Sequence, residues 1–169
     1  MVLAIQNLVT QSAGPYTAVG MGMALAAYES RNLEKSERIK FLEEAEDALR
    51  NARITTASRY GIITSRCLEI AKEAIANGED SIELIVEDTV NSLNRRYTTM
   101  QKVGDSLLEL IPEGGTLLTQ CYGETIIGTV IRAAKGENKM FKVICPETRP
   151  FLQGARLTAS CFAEEGFDL

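Results

Sequence analysis

Three short stretches carry residue types suited to thiol or anion chemistry. The first is Thr119-Gln120-Cys121-Tyr122-Gly123-Glu124, which follows the apolar run Thr116-Leu117-Leu118 and precedes a helical pattern. A cysteine between a strand and a helix N-terminus faces the positive end of a helix dipole, a setting that lowers a thiol's pKa. The same position also suits a small packing residue, which is what free cysteines commonly are. The second stretch is Cys145-Pro146-Glu147-Thr148-Arg149-Pro150, leading into Phe151-Leu152-Gln153-Gly154-Ala155-Arg156. Arg149, the Gln153 amide and free backbone N–H groups at a helix start form a candidate phosphate or sugar site. Alternatively, Arg149 pairs with Glu147 and Gln153 is simply solvated. The third stretch is Arg53 with Thr55, Thr56 and Ser58, which reads either as an oxyanion site or as a helix cap beside a solvated arginine.

Composition narrows the chemistry further. The 169 residues contain no histidine, so neither a histidine-based triad nor a histidine metal site can arise within the chain. Cysteines at 67, 121, 145 and 161 form no C-x-x-C pair, and no metal or other cofactor is expected. Lys+Arg 18 against Asp+Glu 23 gives a net charge of −5, which offers no general attraction to a nucleic-acid backbone. The opening MVLAIQNLVTQSAG has no basic n-region, and no apolar run approaches the ~18 residues of a membrane span. The expectation is a cytoplasmic protein with reduced thiols, bound to neither nucleic acid nor membrane.

The elements that must position these stretches change character near Pro112. Before it the patterning is helical. Gly20, Gly22, Ala24, Ala26 and Ala27 mark a buried helix from Pro15 to about Ser30. Ile39, Leu42, Ala45 and Leu49 give an amphipathic helix with Ser36 as its cap, and the acidic run Glu43, Glu44, Glu46, Asp47 reads as its solvated face. A third helix begins around Thr55–Ser58 and stops at Asn77-Gly78. A fourth runs from about Ser81 to Leu110 and is ended by Pro112. After Pro112 the pattern is strand, helix, strand, helix, strand. It comprises a short buried strand at 116–119, a helix closed by Gly136, a strand at MFKVI, a helix from Pro150, and FDL opening a third strand. Short connections of this kind predict a parallel sheet, whose ligands sit beyond the carboxyl ends of the strands.

GGTLLTQCYGETIIGTVIRAAKG followed by KVICPETRPFLQGARLTA resembles the methylthioribose-1-phosphate isomerases and their relatives, the regulatory subunits of initiation factor 2B. The run from Glu147 to Ala159 is the most specific part. GPYTAVGMGMALAAY and ARITTAS are similar to the family's amino-terminal motifs. The resemblance covers nearly the whole chain but only the first half of a typical member. It implies conversion of an aldose 1-phosphate into a ketose 1-phosphate. In that reaction an acid helps open the ring, and a base moves a proton from C2 to C1. It further implies Cys121 in proton transfer, Gln153 and Arg53 in substrate contact, with Arg149 a further candidate. The family's catalytic aspartate would fall beyond Leu169. Gly14-Pro15-Tyr16 stands where the family has Arg-Gly-Ala, Tyr122-Gly123-Glu124 where it has Asn-Thr-Gly, and Ile54-Thr55-Thr56 where it has Pro-Thr-Ala.

The expected architecture is therefore α+α/β. An amino-terminal helical domain spans residues 1–112. The first part of a Rossmann-like parallel β/α domain spans residues 113–169 and is truncated partway. The expected function is a sugar-phosphate aldose–ketose isomerase acting on methylthioribose 1-phosphate or a related pentose 1-phosphate. The alternative is a non-catalytic initiation factor 2B-like subunit that binds a phosphorylated ligand. An open third strand would leave unpaired backbone groups, so a homo-oligomer or a further carboxy-terminal segment is expected to cover it.

Overall fold

Small residues that admit neighbouring side chains set the packing of the amino-terminal part of the chain. The computed structural model describes residues 1–169. It divides into two compact units, Met1–Asn94 and Arg95–Leu169. The first holds α1 (Val2–Gln6), α2 (Gly14–Glu29), α3 (Lys35–Arg50), a 3-10 turn Ile54–Thr56, α4 (Ala57–Asn77) and the first part of α5 (Ser81–Leu110). The small residues of α2 act as the sequence pattern requires. A Cβ on Gly20 would lie 2.6 Å from the Thr89 hydroxyl of α5, and one on Gly22 would lie 3.0 Å from Leu49 of α3. Val19, Met23 and Ala27 are buried with Leu42, Tyr60, Ala71 and Ile85 in one core.

The helix ends follow local chemistry, with two differences from expectation. Gly78 closes α4 in the left-handed conformation at φ 76°, and Asp80 caps α5 by accepting the Ile82 N–H at 2.8 Å. Ser36, however, does not cap α3; the helix begins at Lys35 behind Glu34, and no side chain caps it. Nor is the acidic run wholly solvated. Glu46 is only 8% exposed. One of its oxygens accepts hydrogen bonds from Thr64 and Ser65 of α4, each at 3.0 Å, and lies 3.5 Å from Arg50. A buried carboxylate is tolerable only with such partners, and here they tie α3 to α4.

The second unit takes the rest of α5 with β1 (Thr116–Leu118), α6 (Glu124–Gly136), β2 (Lys142–Ile144), a π-helical turn Gly154–Thr158 and α7 (Ala159–Glu164). The expected change of character at Pro112 does mark the end of α5, at Leu110. The compact units divide earlier, at Asn94, because the end of α5 packs into the second core. There Leu108 and Ile111 meet Ile127, Val130, Val143 and Phe162, and Lys139 donates to the Leu108 carbonyl at 2.9 Å.

β1 and β2 pair in parallel, with Thr116, Leu117 and Leu118 opposite Lys142, Val143 and Ile144. The expected third strand is a single parallel bridge: Asp168 lies opposite Lys142, and its carbonyl accepts the Val143 N–H at 2.8 Å. The expected buried strand at Thr116 is also corrected. Leu117 and Val143 pack towards the core residues of α6 and α7, but Leu118 is 67% and Ile144 54% exposed on the other face, which no element covers. The second helix starts later than Pro150, because Pro150, Phe151 and Leu152 form a turn and regular helix begins at Gln153. No helix is long and apolar enough to cross a membrane.

Two outcomes follow for the first unit. Glu46→Ala removes the nearer acceptor of the buried Thr64 hydroxyl, leaving only the Gly61 carbonyl at 3.5 Å, and should destabilise the protein by about 1–3 kcal/mol in chemical denaturation. A change within error would show that the network holds nothing. Cys67 is buried on α4, and burial, then the Asp88 carboxylate, push its thiol up to about 11. At pH 8 its thiolate fraction is therefore on the order of 0.1% and rises about tenfold per pH unit below 11. Iodoacetamide should leave Cys67 unmodified in the native protein and label it only after unfolding, as read by peptide mass spectrometry.

Candidate active site

Two loops leave the carboxyl ends of the adjacent parallel strands, and the parallel register brings them side by side. Residues 119–123 connect β1 to α6, and residues 145–153 connect β2 to the π-helical turn. Beyond the strand proper, the Thr119 N–H donates to the Ile144 carbonyl at 2.9 Å and its hydroxyl does so at 3.1 Å, so the loops start in register.

Cys121 lies in the middle of the first loop as a half-buried free thiol. Its backbone is left-handed, with φ 56°. Non-glycine residues adopt this region at a cost of about 1–3 kcal/mol and hold it only where their surroundings impose it. Two threonines do so here. The Cys121 N–H donates to Thr148 Oγ1 of the second loop at 3.0 Å. The buried Thr158 hydroxyl, at the end of the π-helical turn, donates to the Cys121 carbonyl at 2.5 Å.

The second loop is itself tightly folded. Thr148 and Leu152 are left-handed, at φ 61° and 57°. The Leu152 N–H donates to the Thr148 carbonyl and the Arg156 N–H to the Leu152 carbonyl, both at 2.8 Å. Gly154 presses on this loop so closely that an added Cβ would lie 1.8 Å from the Pro146 carbonyl oxygen, so no other residue fits. Gln153, just before it, is half-buried with its Oε1 shielded from solvent. Cys121 and Gln153 thus belong to neighbouring loops joined through Thr148 and Thr158.

The other expected residues stand differently. Arg149 extends outward, with its side chain 81% exposed, and pairs with Glu147 at 2.8 Å. Of the two readings left open for this arginine, the ion pair is the one observed, and an exposed pair of this kind contributes little and exchanges partners readily. Arg53 lies in the first unit, exposed, in extended conformation at φ −146° just before the 3-10 turn. The neighbouring hydroxyls do not cap α4. Thr56 instead turns its hydroxyl back to the Arg53 carbonyl at 3.3 Å, so the capping half of that reading fails while the solvated arginine stands.

Several residues in the same unit have partners that their sequence positions do not disclose. Glu124, the first residue of α6, accepts the Tyr97 hydroxyl at 2.5 Å. That bond, followed by burial, pushes the Tyr97 phenol upward. Tyr122 is pushed up to about 12, first by burial and then by Cys161, Glu124 and Tyr97, and the Cys161 thiol points at its oxygen across 4.0 Å. Both phenols are therefore neutral near pH 7 and can donate hydrogen bonds. Thr158 contacts a residue 37 positions away in the chain, a separation at which no local periodicity operates.

Comparison with known proteins places the chain in a family. The description of the initiation factor 2 subunit family matches residues 12–169. The chain is 31% identical to a methylthioribose-1-phosphate isomerase of Thermosipho africanus, over 100% of this chain and 51% of that protein. It is 33% identical to a methylthioribose-1-phosphate isomerase of Nostoc punctiforme, over 98% of this chain and 50% of that protein. The crystal structure of translation initiation factor eIF-2B subunit delta from A. fulgidus superposes with a TM-score of 0.71 at 28% identity, covering 99% of this chain and 51% of that one. The chain thus spans about half the length of the relatives it matches. Its mostly helical fold with a small parallel sheet is similar to that of the initiation factor subunit, and the chain belongs to the initiation factor 2 subunit family.

Proposed function

We propose that the protein carrying this chain is an aldose–ketose isomerase acting on S-methyl-5-thioribose 1-phosphate or a related pentose 1-phosphate. In this reading the chain forms a helical domain and the first β/α units of a Rossmann-like layer. The observation that carries it is Cys121 at the carboxyl end of a parallel strand, fastened to the loop that bears the Glu147–Ala159 motif. The likeness to proteins named methylthioribose-1-phosphate isomerase supports the substrate class.

The chemistry fits a thiol. A sugar 1-phosphate cannot open its ring unaided because the anomeric oxygen is esterified. A proton donor must assist ring opening, and a base must then carry a proton from C2 to C1. Cys121 is the group proposed for proton transfer, and Gln153 is proposed to hold substrate hydroxyls or phosphate through its amide. Arg53 is carried as the anion contact of the first unit. Arg149, paired with Glu147, is a secondary candidate that would have to exchange partners. The uncovered Leu118 and Ile144 support the expectation that a second copy or a further segment completes the sheet. The four free thiols fit a reducing compartment.

A second reading rests on the likeness to an initiation factor subunit. Here the same loops bind a phosphorylated ligand without turning it over, and the protein acts through its partners.

Turnover separates the two. The purified protein should form ketose from methylthioribose 1-phosphate or a neighbouring pentose 1-phosphate. Cys121→Ser should lower kcat by about 10²–10⁴-fold, the usual contribution of a positioned proton-transfer group. Gln153→Ala should act mainly on KM. If no pentose 1-phosphate gives ketose, and wild type and Cys121→Ser are equally inert, the enzyme reading is withdrawn. A thermal shift with sugar phosphates in the same inert protein would favour the binding subunit.

A further inference from the structure

We propose that Thr158, together with Thr148, is a positioning residue for Cys121, and that the π-helical turn exists to deliver the Thr158 hydroxyl to the cysteine's carbonyl. This rests on the reading of Cys121 as the proton-transfer group, but its physical content is independent of the substrate. The two hydroxyls grip opposite sides of one residue. Thr148 Oγ1 accepts the Cys121 N–H at 3.0 Å, and the Thr158 hydroxyl donates to the Cys121 carbonyl at 2.5 Å. Between them they determine the orientation of both peptide planes flanking the thiol.

Three further observations support the assignment. Cys121 is left-handed without being glycine, and Thr148, a β-branched residue, is left-handed as well. Both conformations are disfavoured in isolation and require external bonds to persist. Thr158 is fully buried, so its hydroxyl has no water to satisfy it and must bond within the protein. Finally, Thr158 closes the π-helical segment Gly154–Thr158. Such a turn holds one residue more than an α-turn and is found disproportionately at functional sites. Thr148 also bonds the Pro146 carbonyl at 3.2 Å, the same carbonyl on which Gly154 presses, so the grip on Cys121 is braced from the second loop.

The experiment pairs Thr158→Val, which keeps the shape and removes the hydroxyl, with Thr158→Ser, which keeps the hydroxyl. Steady-state kinetics are read beside amide hydrogen exchange at Cys121. Thr158→Val is expected to lower kcat roughly 10- to 100-fold while KM stays within about threefold, because misplacing the reacting group affects the transition state more than binding. Exchange at the Cys121 amide should accelerate about tenfold or more while core amides keep their protection. Thr158→Ser should restore both. Wild-type kcat and exchange in a folded Thr158→Val variant would overturn the proposal, as would a failure of serine to rescue. Should the valine variant not fold, Thr148→Ala at a half-buried position carries the same test. If the wild type turns over no sugar phosphate, the isomerase reading falls and exchange alone decides. Acceleration in the valine variant, reversed by serine, then retains the clasp, and unchanged exchange removes it.

Discussion

A single residue held in a conformation it would not choose governs the second half of this chain. Cys121 is left-handed, and bonds from two other segments hold its N–H and its carbonyl. A net hydrogen bond contributes about 0.5–1.5 kcal/mol, and a non-glycine residue in this region costs about 1–3 kcal/mol. Two such bonds therefore roughly offset the strain and leave little margin. The loop after β1, the loop after β2 and the start of the last helix are consequently one mechanical object, although they lie far apart in the sequence.

What was legible beforehand followed from local rules. Pro112 stops the long helix, Asn77-Gly78 ends α4 in the left-handed conformation, and the small residues of α2 permit close approach to Thr89 and Leu49. The location of Cys121 at a strand end was legible for the same reason, since strand, loop and helix follow one another directly. Interactions that join distant residues were not legible. Glu46 looks like one more surface acid until Thr64 and Ser65 are found facing it across two helices. Thr158 sits inside a conspicuous motif, yet nothing in its spacing shows that its hydroxyl reaches back to the cysteine. The burial of β1 was misjudged because an apolar run does not say how many faces are covered.

The long helix runs through the division between the two compact units. A periodic pattern reports a continuous helix, and α5 is continuous from Ser81 to Leu110. Compactness depends instead on which core each turn enters. Ile85 belongs to the first core, whereas Leu108 and Ile111 belong to the second. A boundary inside an unbroken helix leaves no mark of composition, and the proline that does leave one lies further on.

The wide turn before α7 has a consequence for how this segment can change. Each residue added to or removed from a helix rotates everything after it by about 100°. The same stretch sets the azimuth of Thr158 towards the cysteine and of Phe162, whose ring meets both Phe141 and Phe167 edge-on. A one-residue deletion between Gly154 and Thr158 would swing both side chains away together, unseating the aromatic cluster and releasing the loop in one event. Two unrelated demands, the hold on the cysteine and the seating of the aromatic cluster, therefore rest on the length of one five-residue segment.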